Sequence, residues 1–310
     1  MIPDIVQTED GSITCRDVLT GELYHNRAGA YSEALKNYVE PCSLSRRILD
    51  NSSIQILDVC FGLGYNSLVF IDQLVKLLPN FALQGHDLKL SILGLDLDPN
   101  ILQLVPKVLA DPKFDHLVYQ LKAAGSEYEK IIENFSHFGH FKFDLHLNNR
   151  SLQINVDLRQ RDIRKEIPNL AISGQHSFDY IFHDGFSPKV MPELWTIDLF
   201  EEYAKLIRPQ GRIITYCAAT AVRGALRECG LIVKRTTPLG GKSGGTVAAR
   251  SGFARDDVAV IDLSITENER LESRSSIPYR DSGFSSTRKE ILHRRVMEQA
   301  SSLLPAFADN

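Results

Sequence analysis

The fold is decided by the stretch IQILDVCFGLGYN, residues 54–66. Its apolar start predicts a buried strand, its two glycines predict a turn, and a helix is expected from about Asn66. A second apolar segment, Ser91–Leu95, follows and ends in Asp96. The order of strand, glycine turn, helix, strand and acid is typical of doubly wound α/β folds that bind a cofactor containing adenosine.

The charge of this stretch indicates which cofactor it would bind. Gly62 and Gly64 let the backbone approach a ligand closely, because no Cβ stands in the way. A carboxylate at Asp58 would repel a pyrophosphate and attract the ammonium and sulfonium groups of S-adenosylmethionine. Asp96 can accept both hydroxyls of a ribose. The charges favour S-adenosylmethionine over NAD, although two glycines and an Asp can also form an ordinary turn between a strand and a helix.

The composition is that of a globular protein. The chain has 310 residues, 43% hydrophobic and 24% charged, enough for one large or two modest domains. No uncharged apolar run approaches the roughly 18 residues of a membrane span, and no secretory signal is visible at the start. The five cysteines show no CxxC pair and no metal-ligand spacing, so we expect reduced thiols, no metal and a cytoplasmic location.

Alternation of strand and helix patterns predicts a mostly parallel sheet. Seven strands are expected, the last of them antiparallel because only a loop joins it to the strand before. This is the pattern of class I (Rossmann-like) S-adenosylmethionine-dependent methyltransferases. The predicted strands are 54–59, 90–95, 152–157, 178–183, 212–217, 230–235 and 246–250. The predicted helices are 66–78, 99–110, 126–136, 192–207, 219–229 and about 288–304.

The sequence pattern divides the chain into three parts. Residues 1–50 are expected to form an N-terminal appendage packed on a methyltransferase domain at 51–260. Within that domain 112–150 is an insertion, whose end at 141–147 should form a hairpin with the following strand. Residues 261–310 form a C-terminal tail, which is either a packed helix, as we favour, or an arm that binds a partner. We expect a monomer.

Asp184 is the candidate catalytic residue. It follows the predicted strand 178–183 at the carboxyl edge of the sheet, where α/β folds bind ligands. There it could orient an amine nucleophile and take its proton, or it could cap a helix or structure a loop. Phe186 would face the same site. Asp162 could accept the adenine amino group or be an exposed charge, whereas a strand-end His183 is more often a core residue than an acid or base.

A basic region lies between Lys205 and Arg255, with ten Lys and Arg and far fewer Asp and Glu. It could be a solvated face or a surface for a polyanion such as RNA. Lys242 is the most interesting of its cations, because it lies in a glycine-rich loop at 240–245. The candidate phosphate contacts are Lys189, Arg208, Arg212, Arg223, Arg227, Lys234, Arg235 and Lys242.

Several blocks resemble the methyltransferase domain of the bifunctional tRNA 5-methylaminomethyl-2-thiouridine biosynthesis proteins, the MnmC-like family. The resemblance spans roughly residues 8–250, and its DGFSP block with Trp195 is more specific than its glycine turn. The similar blocks are 58–66, DGFSP at 184–188 with PELWT at 192–196, RPQG at 208–211, 222–226, and an N-terminal block from Tyr24 to Gly29 with Glu33.

The resemblance implies methyl transfer from S-adenosylmethionine to the exocyclic amine of 5-aminomethyl(-2-thio)uridine at wobble position 34, in the anticodon region of tRNA. By position, Asp184 would meet the substrate amine. The residues that would hold the cofactor are Asp58, Gly62, Gly64, Asn66, Asp96 and Asp162. The candidate substrate contacts are Glu33, Phe186, Lys242 and Arg223.

The sequence departs from the family in two respects, and two other functions remain open. Cys60 stands where the family commonly has glycine, which puts the path of the turn in doubt. No second glycine-rich unit is present to hold FAD, so a stand-alone form without the oxidase domain is expected. The alternatives are a small-molecule amine methyltransferase or aminopropyltransferase, and a noncatalytic RNA-binding relative.

Overall fold

A computed structural model describes residues 4–50, 52–81, 87–123, 125, 128–147, 150–174, 176–238, 244–254 and 257–302. The strands are β1 (Asp4–Gln7), β2 (Ile13–Arg16), β3 (Ser53–Val59), β4 (Leu88–Asp96), β5 (Gly139–Leu147), β6 (Arg150–Gln160), β7 (Phe178–His183), β8 (Ile207–Thr215), β9 (Ile232–Thr236), β10 (Thr246–Ala249) and β11 (Val260–Ile261). The helices are α1 (Ala30–Ala34), α2 (Leu44–Asp50), α3 (Tyr65–Leu77), α4 (Pro99–Leu102), α5 (Val105–Leu109), α6 (Asp115–Ala123), α7 (Tyr128–Asn134), α8 (Ile163–Ser173), α9 (Ile197–Leu206), α10 (Thr220–Glu228), α11 (Ile265–Leu271) and α12 (Arg288–Ser301).

A central sheet has the strand order β11-β9-β10-β8-β7-β3-β4-β6-β5. Strand β3 pairs in parallel with β4 and β7, β4 pairs in parallel with β6, and β7 with β8. Strand β10 is antiparallel to both β8 and β9. All seven predicted strands are therefore present in a mostly parallel sheet with an antiparallel last strand.

The sheet has nine strands within the described residues, whereas seven were predicted for its core. The two additional strands lie at the edges. Strand β5 pairs antiparallel with β6, as the predicted hairpin requires. Strand β11 has only two residues, Val260 and Ile261, and pairs antiparallel with β9. A strand this short carries no periodicity, so the sequence could not reveal it.

The helices differ from the prediction in several places, and three of the differences have a cause in the sequence. The predicted helix 99–110 is divided into α4 and α5, and Pro106 lies in the first turn of the second. The predicted helix 192–207 begins as a 3₁₀ turn, and α9 starts only after Thr196, whose hydroxyl accepts from the Leu199 amide. Helix α8 was not predicted, because Pro168 in its interior disguises it.

Both faces of the sheet are covered, which accounts for the continuous apolar run in β3. Residues Ile54, Ile56, Leu57 and Val59 have no exposed surface. One apolar cluster joins one face to α1, α3, α5 and α6. The other cluster joins the opposite face to α8, α9 and α10. The carboxyl ends of the parallel strands are thus held at one edge between two helical layers.

The two ends of the chain pack on this core. The Tyr31 hydroxyl of α1 donates to buried Asp72 of α3, at 2.8 Å. In the tail, Tyr279 forms a bridge to Thr196 before α9, and Ile291 of α12 is fully buried. Within the described residues no helix combines the length and the apolar character that a membrane span needs.

Candidate active site

The glycine turn between β3 and α3 uses left-handed backbone at three positions. The φ angles of Cys60, Gly62 and Gly64 are 63°, 53° and 78°. A Cβ on Gly64 would lie 2.9 Å from the Phe61 ring, so this position needs glycine for space as well as for φ. Cys60 adopts a left-handed conformation that glycine adopts more readily. The turn therefore keeps this conformation although cysteine stands where the similar family commonly has glycine.

Asp96 ties the end of β4 to this turn. One carboxylate oxygen accepts from the Gly62 amide at 2.7 Å, and the other accepts from the amides of Leu97 and Asp98. Burial raises the pKa of Asp96, while these backbone hydrogen bonds oppose the rise. Asp96 also lines a large cavity that opens over the ends of the parallel strands. There its remaining lone pairs could accept hydrogen bonds from ribose hydroxyls.

Asp58 lies at the end of β3 with no exposed surface, and it does not line the cavity. It accepts from the Ser67 hydroxyl at 2.5 Å, and its Oδ1 has no partner within the described part of the chain. Burial raises the pKa of Asp58 to about 8. A carboxyl that keeps its proton at neutral pH carries no charge, so Asp58 does not attract the cationic groups of S-adenosylmethionine as expected. The acids that line the cavity can attract them instead.

Asp184 lies at the end of β7 and faces the cavity. Its Oδ1 accepts from the Tyr38 hydroxyl at 2.6 Å, and its Oδ2 accepts from the Asn66 amide at 2.9 Å. Burial raises the pKa of Asp184 to about 6, against the effect of these two hydrogen bonds. The group is therefore ionised at neutral pH and is held in one orientation.

Asn66 contributes a second polar atom to this cluster. The residue is 3% exposed, and its amide nitrogen is committed to Asp184. Its Oδ1 finds no partner among the described residues. A buried acceptor without a partner costs stability, but Asn66 does not line the cavity, so its contact with the cofactor stays a prediction.

The loop after Asp184 is fixed by three side chains. The Tyr216 hydroxyl donates to the Gly185 carbonyl at 2.9 Å, and the Trp195 indole donates to the Phe186 carbonyl at 2.7 Å. Glu22, from the N-terminal part, accepts from both the amide and the hydroxyl of Ser187. The loop is thus rigid, and its wall is preorganised for a ligand.

A cavity of about 980 Å³ opens over these strand ends. Phe186 lines it, with its ring edge-to-face against Tyr24 at 5.0 Å between centroids. Seven Asp and Glu side chains and three arginines contribute to the lining. An acid-rich wall favours a cationic ligand. The ribose acceptor, the glycine turn and the acidic wall together fit S-adenosylmethionine, which has a ribose, an ammonium and a sulfonium.

Of three other predicted site residues, two line the cavity and one lies outside the described residues. Glu33 lines the cavity and accepts from the Asn26 amide at 2.8 Å. Asp162 also lines it, and its side chain caps α8 by accepting from the Arg164 amide. Lys242 lies outside the described residues.

Arg223 does not line this cavity, which corrects its prediction as a substrate contact. It is 3% exposed, and its guanidinium donates to Thr246, Glu267 and the Gly245 carbonyl. His183 is a core residue, as its position suggested, since its Nδ1 contacts the Tyr203 hydroxyl at 2.9 Å. Burial lowers the pKa of His183 to about 3, so the ring is neutral.

The basic region at 205–255 is largely neutralised by ion pairs. Most of its acidic partners come from other parts of the chain, which the local sequence could not show. The pairs are Lys205–Glu202, Arg208–Asp179, Arg212–Asp257, Arg223–Glu267, Arg227–Glu272 and Lys234–Asp262. The structure therefore favours the solvated face over a surface for a polyanion.

Sequence reasoning missed three contributors to the site. Tyr38 lies in a π-helical turn, Leu35–Val39, a feature that is frequent at functional sites. Glu22 reaches the loop after β7 from the N-terminal part, and Arg288 lines the cavity from the tail. Only the similarity of the N-terminal block pointed to this part of the chain, and no local pattern indicated the tail.

Comparison with known proteins gives a consistent result. Residues 124–251 match a family described as S-adenosyl-L-methionine-dependent methyltransferase. The crystal structure of MnmC2 from Aquifex aeolicus aligns with a TM-score of 0.73 and 28% identity, over 96% of this chain and 85% of that one. An uncharacterized protein of Methanocaldococcus jannaschii is 28% identical over 94% of this chain and 71% of its own length.

A shorter match concerns the bifunctional proteins themselves. The tRNA 5-methylaminomethyl-2-thiouridine biosynthesis bifunctional protein MnmC of Vibrio vulnificus is 36% identical over 89 residues, which is 29% of this chain and 13% of that protein. The resemblance stated from the sequence is therefore confirmed. So are the α/β methyltransferase fold and S-adenosyl-L-methionine as the cofactor.

Proposed function

We propose that this chain, which is an S-adenosyl-L-methionine-dependent methyltransferase, methylates the exocyclic amine of 5-aminomethyl(-2-thio)uridine at wobble position 34 of tRNA. The product is 5-methylaminomethyl(-2-thio)uridine. The observation that carries the proposal is the ionised Asp184, held by Tyr38 and Asn66 at the wall of an acid-rich cavity. The choice of tRNA and of its modified uridine as the substrate is taken from the names of the similar MnmC proteins.

The chemistry requires a neutral amine in line with an electrophilic methyl group. The cofactor supplies that methyl on a positively charged sulfur. The target uridine must leave the anticodon stack for its amine to reach the cavity. There Asp184 accepts a hydrogen bond from an N–H group of the amine, and this bond directs the nitrogen lone pair toward the methyl group. Methylation would leave a positive charge on this nitrogen, and Asp184 would take the proton that the nitrogen then loses and pass it to solvent.

The surrounding residues keep this carboxylate in place. Tyr38 and Asn66 each donate to one of its oxygens, so the second lone pair of each oxygen is left for the amine. Tyr38 also contacts the His183 carbonyl and the Tyr216 amide, both at 3.2 Å, and thereby ties the ends of β7 and β8 together. Most of the rate would come from holding two reactants in one geometry.

Two further proposals concern the assembly and location of the protein and its division into domains. We propose that the protein acts as a monomer in the cytoplasm. We also propose the division into an N-terminal part at 1–50, a methyltransferase domain at 51–260 with an insertion at 112–150, and a C-terminal tail from 261.

The alternative is a small amine as the methyl or aminopropyl acceptor. An acid-rich cavity would also suit a polyamine, since its amines are cationic. This alternative predicts activity on a free amine in the absence of RNA. A noncatalytic role would require loss of the cofactor site, whereas the glycine turn and Asp96 keep a geometry that suits the cofactor.

The test is incubation with labelled S-adenosyl-L-methionine and tRNA from cells that lack this methyl group, followed by mass spectrometry of the nucleosides. We expect one methyl gained on 5-aminomethyluridine, and no gain with Asp184→Ala. Transfer to free polyamines without RNA would replace the proposal by the small-amine function. Cofactor binding without transfer to either acceptor would exclude both.

A further inference from the structure

Two arginines from opposite ends of the chain line the acid-rich cavity. Arg27 lies in the N-terminal segment between β2 and α1, and Arg288 is the first residue of α12. Both are exposed to solvent. The third arginine of the lining, Arg16, donates to the Gly21 carbonyl within its own turn. Arg27 and Arg288 are the two arginines of this wall that are exposed, whereas Arg16 is half-buried.

Arg288 is held at the cavity by a buried carboxylate. Its Nε donates to Oε1 of Glu193 at 2.7 Å, and Glu193 is only 8% exposed. The Arg288 side chain is still 49% exposed. Its terminal nitrogens make no hydrogen bond with the described part of the chain. A guanidinium fixed through one edge presents its other N–H groups outward, in the geometry that suits a phosphate.

The tail presents Arg288 on a fixed support. Thr287 and Glu290 form a reciprocal capping box at the start of α12. The preceding loop is closed by Asp281, which is fully buried and accepts from the amides of Ser285 and Ser286. Arg288 therefore belongs to an ordered wall of the cavity.

A polyanionic substrate needs cations near this cavity. Seven carboxylates line the wall, and the basic region at 205–255 is largely occupied by ion pairs. We infer that Arg27 and Arg288 bind backbone phosphates next to the nucleotide whose amine enters the cavity. The inference rests on the proposed RNA substrate and names the residues that hold it. Such contacts position the RNA and read no bases.

The test is direct binding of a fluorescein-labelled anticodon stem-loop RNA, followed by anisotropy over a range of salt concentrations. We expect Arg27→Ala and Arg288→Ala each to raise Kd about 5- to 20-fold. Each should reduce the slope of log Kd against log salt by about 0.7, the value for one phosphate contact on a single strand. The double variant should reduce the slope by about twice that amount.

Arg227→Ala is the matched control. Arg227 is 44% exposed, close to the 49% of Arg288, and pairs with Glu272, which is exposed where Glu193 is buried; it does not line the cavity. It should leave Kd and slope unchanged. Arg27→Ala removes no ion pair of the described chain, so its result does not depend on Glu193. Slopes in both variants equal to the control, or no RNA binding by the unaltered protein, would overturn the inference.

Binding also separates this inference from the proposed reaction. RNA binding that depends on the two arginines, without methyl transfer to tRNA, would support the inference and reject the reaction. Where transfer occurs, both variants should raise KM for tRNA and leave kcat within about twofold. The rate on the free nucleoside 5-aminomethyluridine, which has no phosphate, should not change. A loss of that rate would point to a general defect of the cavity and reject the phosphate role.

Discussion

The hydroxyl of Tyr38 donates a 2.6 Å hydrogen bond to the carboxylate of Asp184, across 146 positions of sequence. Tyr38 belongs to the N-terminal part of the chain, and Asp184 to the loop after β7. The ionisation of the candidate catalytic group is therefore controlled by a residue outside the strand and loop that carry it. Burial raises the pKa of this carboxyl, and the bond from Tyr38 lowers it. A variant that changes the burial of Asp184 or removes the Tyr38 hydrogen bond should therefore change this pKa and with it the pH dependence of activity.

The first prediction concerns Asp184→Asn, which keeps the shape of the side chain and removes its basicity. We expect kcat to fall by at least about 100-fold, with the affinity for S-adenosyl-L-methionine nearly unchanged. In the unaltered enzyme activity should rise as pH increases through about 6, where Asp184 loses its proton. Single-turnover rates and calorimetric titration would measure both. A large loss of cofactor affinity would assign Asp184 to binding instead.

The second prediction concerns Tyr38→Phe. Removing a hydrogen bond that favours the charged form of Asp184 should move the acid limb of the pH profile upward by about 1 to 2 units. Activity should recover by pH 9, which lies above the Asp184 pKa expected in both proteins. The matched control is Tyr31→Phe, which removes a 2.8 Å bond to buried Asp72 away from the cavity. It should not move the limb. An equal shift in both variants would contradict this role for Tyr38.

The third prediction separates two roles of Asp162, which caps α8 and lines the cavity. Asp162→Ala should lower the free energy of unfolding by about 1 kcal/mol through loss of the cap. It should also weaken binding of S-adenosyl-L-methionine, because the acceptor proposed for adenine is lost. Asp162→Ser restores a capping oxygen on a shorter side chain. We expect it to recover stability but not affinity. Recovery of both would leave Asp162 with the capping role alone.

The fourth prediction concerns the pH dependence of stability. Burial raises the pKa of Asp58 to about 8 from its ordinary 3.8. Between these values the folded state keeps a proton that the unfolded state has lost. Stability from this group therefore falls as pH rises from about 4 to 8, by up to ~1.4 kcal/mol per pH unit, and is constant above. In Asp58→Asn, urea unfolding at pH 6, 7 and 8 should show a shallower decline. An identical decline would mean that Asp58 is ionised in the folded protein.

The seven central strands could be predicted because each is a local pattern ended by turn residues. For the same reason the sequence pointed to Asp96 and Asp184, since both follow a strand at the ligand-binding edge. The chemical environment of these residues could not be predicted in the same way. Burial sets the pKa of Asp58, and burial arises only when the two helical layers close over the sheet.

Contacts between distant segments account for the remaining errors. The excess of basic residues at 205–255 left a solvated face and a polyanion surface both open, because Glu267 and Asp257, the acids from later in the chain that pair with this region, could not be matched to it from the sequence. Arg288 carried no signal in the tail, because its position at the cavity depends on an ion pair with Glu193, nearly a hundred residues earlier. Long-range pairs of this kind appear only in three dimensions.

The last prediction concerns Cys60, the residue that departs from the similar family. Its φ of 63° costs a residue with a Cβ about 1–2 kcal/mol. Cys60→Gly removes this strain and loses the half-buried sulfur, whereas Cys60→Ala loses the sulfur and keeps the strain. We therefore expect the glycine variant to melt about 2 °C or more above the alanine variant, with cofactor affinity retained. Thermal unfolding of the matched pair measures the difference. A glycine variant that melts below the alanine variant would mean that this turn holds Cys60 without strain.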